Sequence, residues 1–164
     1  MTPKFPNFVE LLQYKALNQP QKVIFTFLAD GETPSLSLTY QQLNTQAQAI
    51  ASHLQSLKAT GERALLLYPP GLDFITAFFG CLYAGVIAVP AYPPRANRSL
   101  DRLQSIVSDA EAKFVLTNQS LQEAIEGKLT QKTLHLISTE TIPLEMAEDL
   151  QFLSFKPEQL AFLQ

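Results

Sequence analysis

The sequence predicts an α/β fold: a mostly parallel sheet flanked by helices, entered through an N-terminal β-hairpin. Three observations carry this. Residues 63–95, RALLLYPPGLDFITAFFGCLYAGVIAVPAYPPR, read as strand, turn, buried helix, strand and stiff exit, which is one βαβ unit. Further helical stretches then alternate with short apolar strands, the pattern of a parallel sheet with helices on its faces. Near the start, two strand-like runs flank Asp30-Gly31-Glu32-Thr33-Pro34, which is turn chemistry.

In order along the chain, Asn7 and Glu10 have the spacing of a capping box, and Phe8, Leu11 and Leu12 open a helical face. That helix ends before Pro20. Residues 22–29 (KVIFTFLA) are rich in β-branched and aromatic side chains, and residues 35–38 alternate polar and apolar, giving the hairpin. Thr39 and Gln42 form a second capping pair for a helix over residues 40–57, with Leu43, Ala47, Ile50, Ala51 and Leu54 on one face.

Within the βαβ unit, residues 64–68 form the first strand and Pro69-Pro70-Gly71 breaks it. A helix over residues 72–83 is apolar around nearly its whole circumference, and Asp73 is its one charge. Gly85 leads into a strand over residues 86–89, which Pro90 is expected to close. Residues 74–92 carry no charge and are long enough to span a bilayer, so a membrane segment is the rival reading. Gly80, Gly85 and Pro90 interrupt that run, its second half is strand-like and its surroundings read as α/β, so a buried helix covered on all sides is the favoured account.

After the basic linker Ala96-Asn97-Arg98, Ser99 is placed to cap a helix over residues 100–111. Residues 113–117 are a strand, residues 121–128 a helix and residues 133–138 another strand. Lys156-Pro157-Glu158 is a turn, and residues 160–163 begin a fresh buried strand just before the last residue, Gln164. A strand that delivers no loop suggests a truncated chain.

Composition narrows the function. With 164 residues and 46% hydrophobic side chains the chain can bury a core, and at 16% charged it is lightly charged for a soluble domain. A net charge of −3 with no basic patch leaves no footprint for nucleic acid. The one cysteine, Cys81, lies in the apolar helix, so no disulfide framework exists, and the N-terminus has no signal-peptide pattern. A cytoplasmic location follows as the default.

The motif search returns mainly absences. The six glycines are scattered singly and form no G-x-G-x-x-G cradle. Gly127-Lys128 lacks the following hydroxyl and the upstream glycine of a phosphate loop. His53 and His135 have no metal-ligand spacing, no serine sits in a G-x-S-x-G elbow, and Asp109 with Glu111 reads as a solvated helix end. One segment stands out: Tyr92, Pro93, Pro94 and Arg95 leave the carboxyl end of a parallel strand, where open α/β sheets take their ligands. Arg95 could meet a phosphate or carboxylate there; the plainer alternative is a rigid connection with a solvated arginine.

The stretch GLDFITAFFGCLYAGVIAVP followed by AYPPR closely resembles the N-terminal part of fatty acyl-AMP ligases, members of the adenylate-forming (AMP-dependent synthetase and ligase) superfamily. LTYQQLNTQAQAIA resembles that family's early helix, and LAFLQ resembles the strand before its Ser/Thr/Gly-rich ATP loop. The resemblance covers essentially the whole chain. It implies that residues 1–164 are the N-terminal part of an AMP-binding domain, truncated before the ATP phosphate loop. It further implies a complete enzyme that uses ATP and Mg2+ to convert a fatty acid to acyl-adenylate, then passes the acyl group to an acyl carrier protein. The ATP loop, the nucleotide-binding motifs and the catalytic lysine would all lie past Gln164. No catalytic, cofactor-binding or metal residue carries over onto this chain, which is expected to be inactive alone. Tyr92, Pro93, Pro94 and Arg95 then become candidates for a wall of the substrate site. The alternative is a non-catalytic α/β binding module that pairs with a partner chain, suggested by the light charge and the last strand.

Overall fold

The computed structural model describes residues 4–94, 100–129 and 133–164. Helix α1 (Phe8–Asn18) starts at Asn7, whose side chain accepts the Glu10 N–H. Strands β1 (Val23–Leu28) and β2 (Pro34–Thr39) pair antiparallel as the expected hairpin. In its turn the Asp30 carboxylate accepts the N–H groups of Glu32 and Thr33. Helix α2 (Tyr40–Ser56) opens with the complete capping box: Thr39 Oγ1 accepts from Gln42 N, and Gln42 Oε1 accepts from Thr39 N.

The βαβ unit comprises β3 (Arg63–Leu67), α3 (Asp73–Ala84) and β4 (Ile87–Ala91). Helix α4 (Asp101–Asp109), β5 (Phe114–Thr117), α5 (Gln119–Ile125) and β6 (His135–Ser138) complete a four-stranded sheet in the order β4-β3-β5-β6, parallel throughout. Two 3-10 turns, Thr139–Thr141 and Leu144–Asp149, follow β6.

Side-chain alternation along the strands makes three layers. Ala64, Leu66 and Tyr68 face a core shared with α1, α2 and α3, while Leu65 and Leu67 face a second core under α4 and α5. Gly80 lets α2 and α3 approach closely: a Cβ there would stand 2.5 Å from Ile50 Cγ2. The glycine that interrupts the apolar run is thus a packing device. Gly85 ends α3 in the left-handed conformation, φ 66°, with Val86 N donating to Cys81 O. Helix α3 spans 12 residues, and no described helix is long and apolar enough to cross a membrane.

Four expectations need correction. Pro90 does not close β4; it pairs in register with Leu66, and the strand runs on to Ala91. Ala88, two residues earlier, turns its N–H and C=O away from β3 toward Ala161 and Leu163, so strand periodicity turns the Pro90 nitrogen away from β3 as well. The parallel ladder therefore loses nothing. Helix α5 begins at Gln119 under an Asn118 cap and stops at Ile125, displaced from residues 121–128. Residues 160–163 do run beside β4, but through the single bridge Ala88–Phe162, and Leu160 and Phe162 are about half exposed (49% and 47%). Finally, α4 runs over Asp101–Asp109, shorter than residues 100–111; the expected cap Ser99 lies outside the described residues.

Candidate functional site

The winding of the sheet locates the candidate site. The chain moves from β3 to β4 on one side, then returns to place β5 on the other side of β3. In open α/β sheets, ligands bind at the carboxyl ends of strands on either side of such a reversal. The segments gathered there are residues 68–72 after β3, 92–94 after β4, Asn118 after β5 and 139–141 after β6.

Of the sequence candidates, Tyr92 projects into solvent at 89% exposure, and Pro93 and Pro94 are half-buried beside it at the carboxyl end of β4. Arg95 lies outside the described residues. Proline cannot donate to a ladder, so Pro93 and Pro94 offer no amide to a neighbouring strand.

A polar network that the sequence reading missed crosses the same end of the sheet. Thr117 Oγ1 donates to Leu67 O at 2.7 Å, joining β5 to β3. The Tyr68 hydroxyl is 2.9 Å from Thr139 Oγ1, which donates over 3.4 Å to Thr117 O. Either hydroxyl can be the donor in the first bond. Burial drives the Tyr68 phenol well above its ordinary pKa, so the neutral donor form persists. Glu140 Oε2 accepts the Gln119 N–H at 2.8 Å and so holds the first turn of α5. Asp73, at the first turn of α3, has its pKa raised by burial and then by the charge of Glu140. Ser138 closes β6 with a buried hydroxyl that has no hydrogen-bond partner among the described residues. Tyr68 and Thr139 are 71 positions apart, beyond the reach of any motif.

The remaining candidates fall elsewhere. His53 is half-buried on α2, its pKa lowered by desolvation. His135 stacks on Phe114 with ring centroids 5.1 Å apart, at the amino end of the sheet. Glu111 pairs with Arg63 at 2.9 Å. Lys128 turns its ammonium back onto Ala124 O. Cys81 is fully buried. Among the described residues no group of three or more His, Cys, Asp or Glu lies together as a metal site.

These features define an α/β scaffold with its candidate ligand-binding end at the strand carboxyl termini, and comparison with known proteins gives the class. A family model described as AMP-binding enzyme matches residues 12–164, so the chain belongs to the AMP-binding enzyme family. It is 40% identical over 170 residues to the medium-chain-fatty-acid (acyl-carrier-protein) ligase JamA of Moorena producens, covering 99% of this chain and 29% of JamA. It is 33% identical to human Disco-interacting protein 2 homolog B, over 94% of this chain and 10% of that protein. The crystal structure of a fatty acyl-adenylate ligase from L. pneumophila, in complex with acyl adenylate and pyrophosphate, superposes with a TM-score of 0.90 at 39% identity, over 98% of this chain and 28% of that one. The chain therefore spans less than a third of the length of these relatives.

Proposed function

We propose that residues 1–164 form the N-terminal part of a fatty acyl-AMP ligase, ahead of its ATP phosphate loop. The complete protein uses ATP with Mg2+ to activate a fatty acid in the cytoplasm, then delivers the acyl group to the thiol of an acyl carrier protein. The observation that carries this reading is the 39–40% identity, over 98–99% of the chain, to proteins whose names specify fatty acid ligation and acyl-adenylate formation.

The chemistry explains why such an enzyme needs a large scaffold. A carboxylate is a poor acyl donor. Its oxygen attacks the α-phosphorus of ATP, a P–O bond forms and pyrophosphate leaves; a thiol then attacks the acyl carbonyl and AMP departs. Both steps develop charge on phosphate oxygens, which fixed donors and cations must stabilise. The described residues supply the first layers of the scaffold and, through Tyr92, Pro93 and Pro94 with the neighbouring Arg95, a candidate stretch of substrate-site wall.

The test is pyrophosphate release by the complete protein with ATP, Mg2+ and a series of fatty acids, followed by acyl loading of a phosphopantetheinylated carrier protein. Fatty-acid-dependent release is expected, with none from the 164-residue chain alone. Release that ignores the fatty acid overturns the reading.

A further inference from the structure

We infer that Tyr68 is a positioning residue for the adenylation site, acting through Thr139 to hold three strand ends at one spacing. The inference rests on the proposed ligase function, but its geometry is independent of it. Strand β5 lies between β3 and β6. The Tyr68–Thr139 bond therefore passes over the end of the intervening strand, a span of about 10 Å between outer strands. Thr139 ties that strand in through Thr117 O, and Thr117 ties back to Leu67 O. Three hydroxyls thus close a ring over the carboxyl ends of β3, β5 and β6, beside the winding reversal.

The ring governs two helix starts. Leaving β3, Tyr68 is followed by two exposed prolines and Gly71, and Leu72 O then accepts from Ile75 N and Thr76 N as α3 begins. Leaving β6, Thr139 is followed by Glu140, whose carboxylate holds the first amide of α5. Leu72 provides no side-chain cap for α3; its first turn is held by Thr76 Oγ1 donating to Asp73 O at 2.9 Å and is joined through residues 69–72 to the strand end that Tyr68 anchors. The Tyr68 ring is buried with Leu66 on the α1–α3 side. Its effect is exerted through the loops.

The experiment uses the complete protein with Tyr68→Phe and Thr139→Val, each of which removes one hydroxyl and keeps the side chain's bulk. Amide exchange at residues 71–76 and 140–142 should quicken about tenfold in either variant, the loss expected for one hydrogen bond. Turnover of acyl-adenylate should fall by a similar factor with KM for ATP little changed. The double variant should be no worse than Thr139→Val alone, since that variant already removes the Tyr68 bond together with the one to Thr117 O. Thr139→Ser, which keeps the hydroxyl, should restore both readouts. Unchanged exchange in both variants overturns the inference; so does faster exchange with undiminished kcat, which would make the ring purely structural. A wild-type protein without fatty-acid-dependent turnover removes the proposed function, and this role with it. Active wild type with fully active variants removes only the role of Tyr68.

Discussion

Gln55 and Gln151 bond to one another as a strand would. The Gln55 side-chain amide donates to Gln151 O at 2.8 Å, and Gln151 N donates to Gln55 Oε1 at 3.0 Å. One side chain thereby satisfies both backbone groups of a residue 96 positions away and clamps the segment after the second 3-10 turn onto α2. Gln55→Ala should cost about 1 kcal/mol, because the contact is solvent-accessible and water replaces part of it. Urea unfolding gives the stability, and faster exchange of the Gln151 amide gives the location.

Gly80→Ala should cost more, about 1–3 kcal/mol, the usual range for added bulk in a packed core. The new methyl would need the space of the branched Ile50 side chain, which cannot swing away as a long flexible one would. Ile50→Ala alone should cost about 2–5 kcal/mol, and the double variant should lose less than the sum of the two in a thermal melt. Strict additivity would mean that the two positions do not compete for space.

Asp30 makes the hairpin turn acid-sensitive. Hydrogen bonds from Thr33 and Glu32 lower its pKa to about 2, below the roughly 3.9 of an unfolded aspartate. A depressed folded pKa contributes stability that is present above about pH 4 and is lost as pH falls through about 2. Carboxyl NMR should show the low midpoint, and Asp30→Asn should flatten this part of the acid limb. A midpoint near the unfolded value would mean that the turn does not hold its carboxylate.

Cys81 should label only when the protein opens. Burial pushes its thiol up to about 12, so neither thiolate nor access is available in the native state. Maleimide labelling should track the unfolded fraction across a denaturant series, and prompt labelling in buffer would contradict the packing of α3.

Much of this fold is legible in the sequence because its signals are local. Thr39 with Gln42, Asn7 with Glu10 and the Asp30 turn each act within four residues, and the βαβ unit announces itself by composition. What escapes depends on partners distant in sequence. Pro90 reads as a terminator until the direction of its missing N–H is known, and that direction comes from pairing with β3. The 3-10 turn Leu144–Asp149 has too few residues for a periodic face. At the candidate site, the Tyr92–Pro94 exit is visible as a rigid string, whereas the hydroxyl ring of Tyr68, Thr117 and Thr139 exists only once three strands are side by side.

Pro90 also bears on how the molecule avoids its own kind. The outer rim of β4 turns backbone groups outward at Ala88 and Pro90. The Ala88 amide is already taken by Ala161, and Pro90 has none to give. The rim of β4 is left with no spare amide with which a second chain could begin a ladder, so this border of the sheet is a poor template for fibrous self-association.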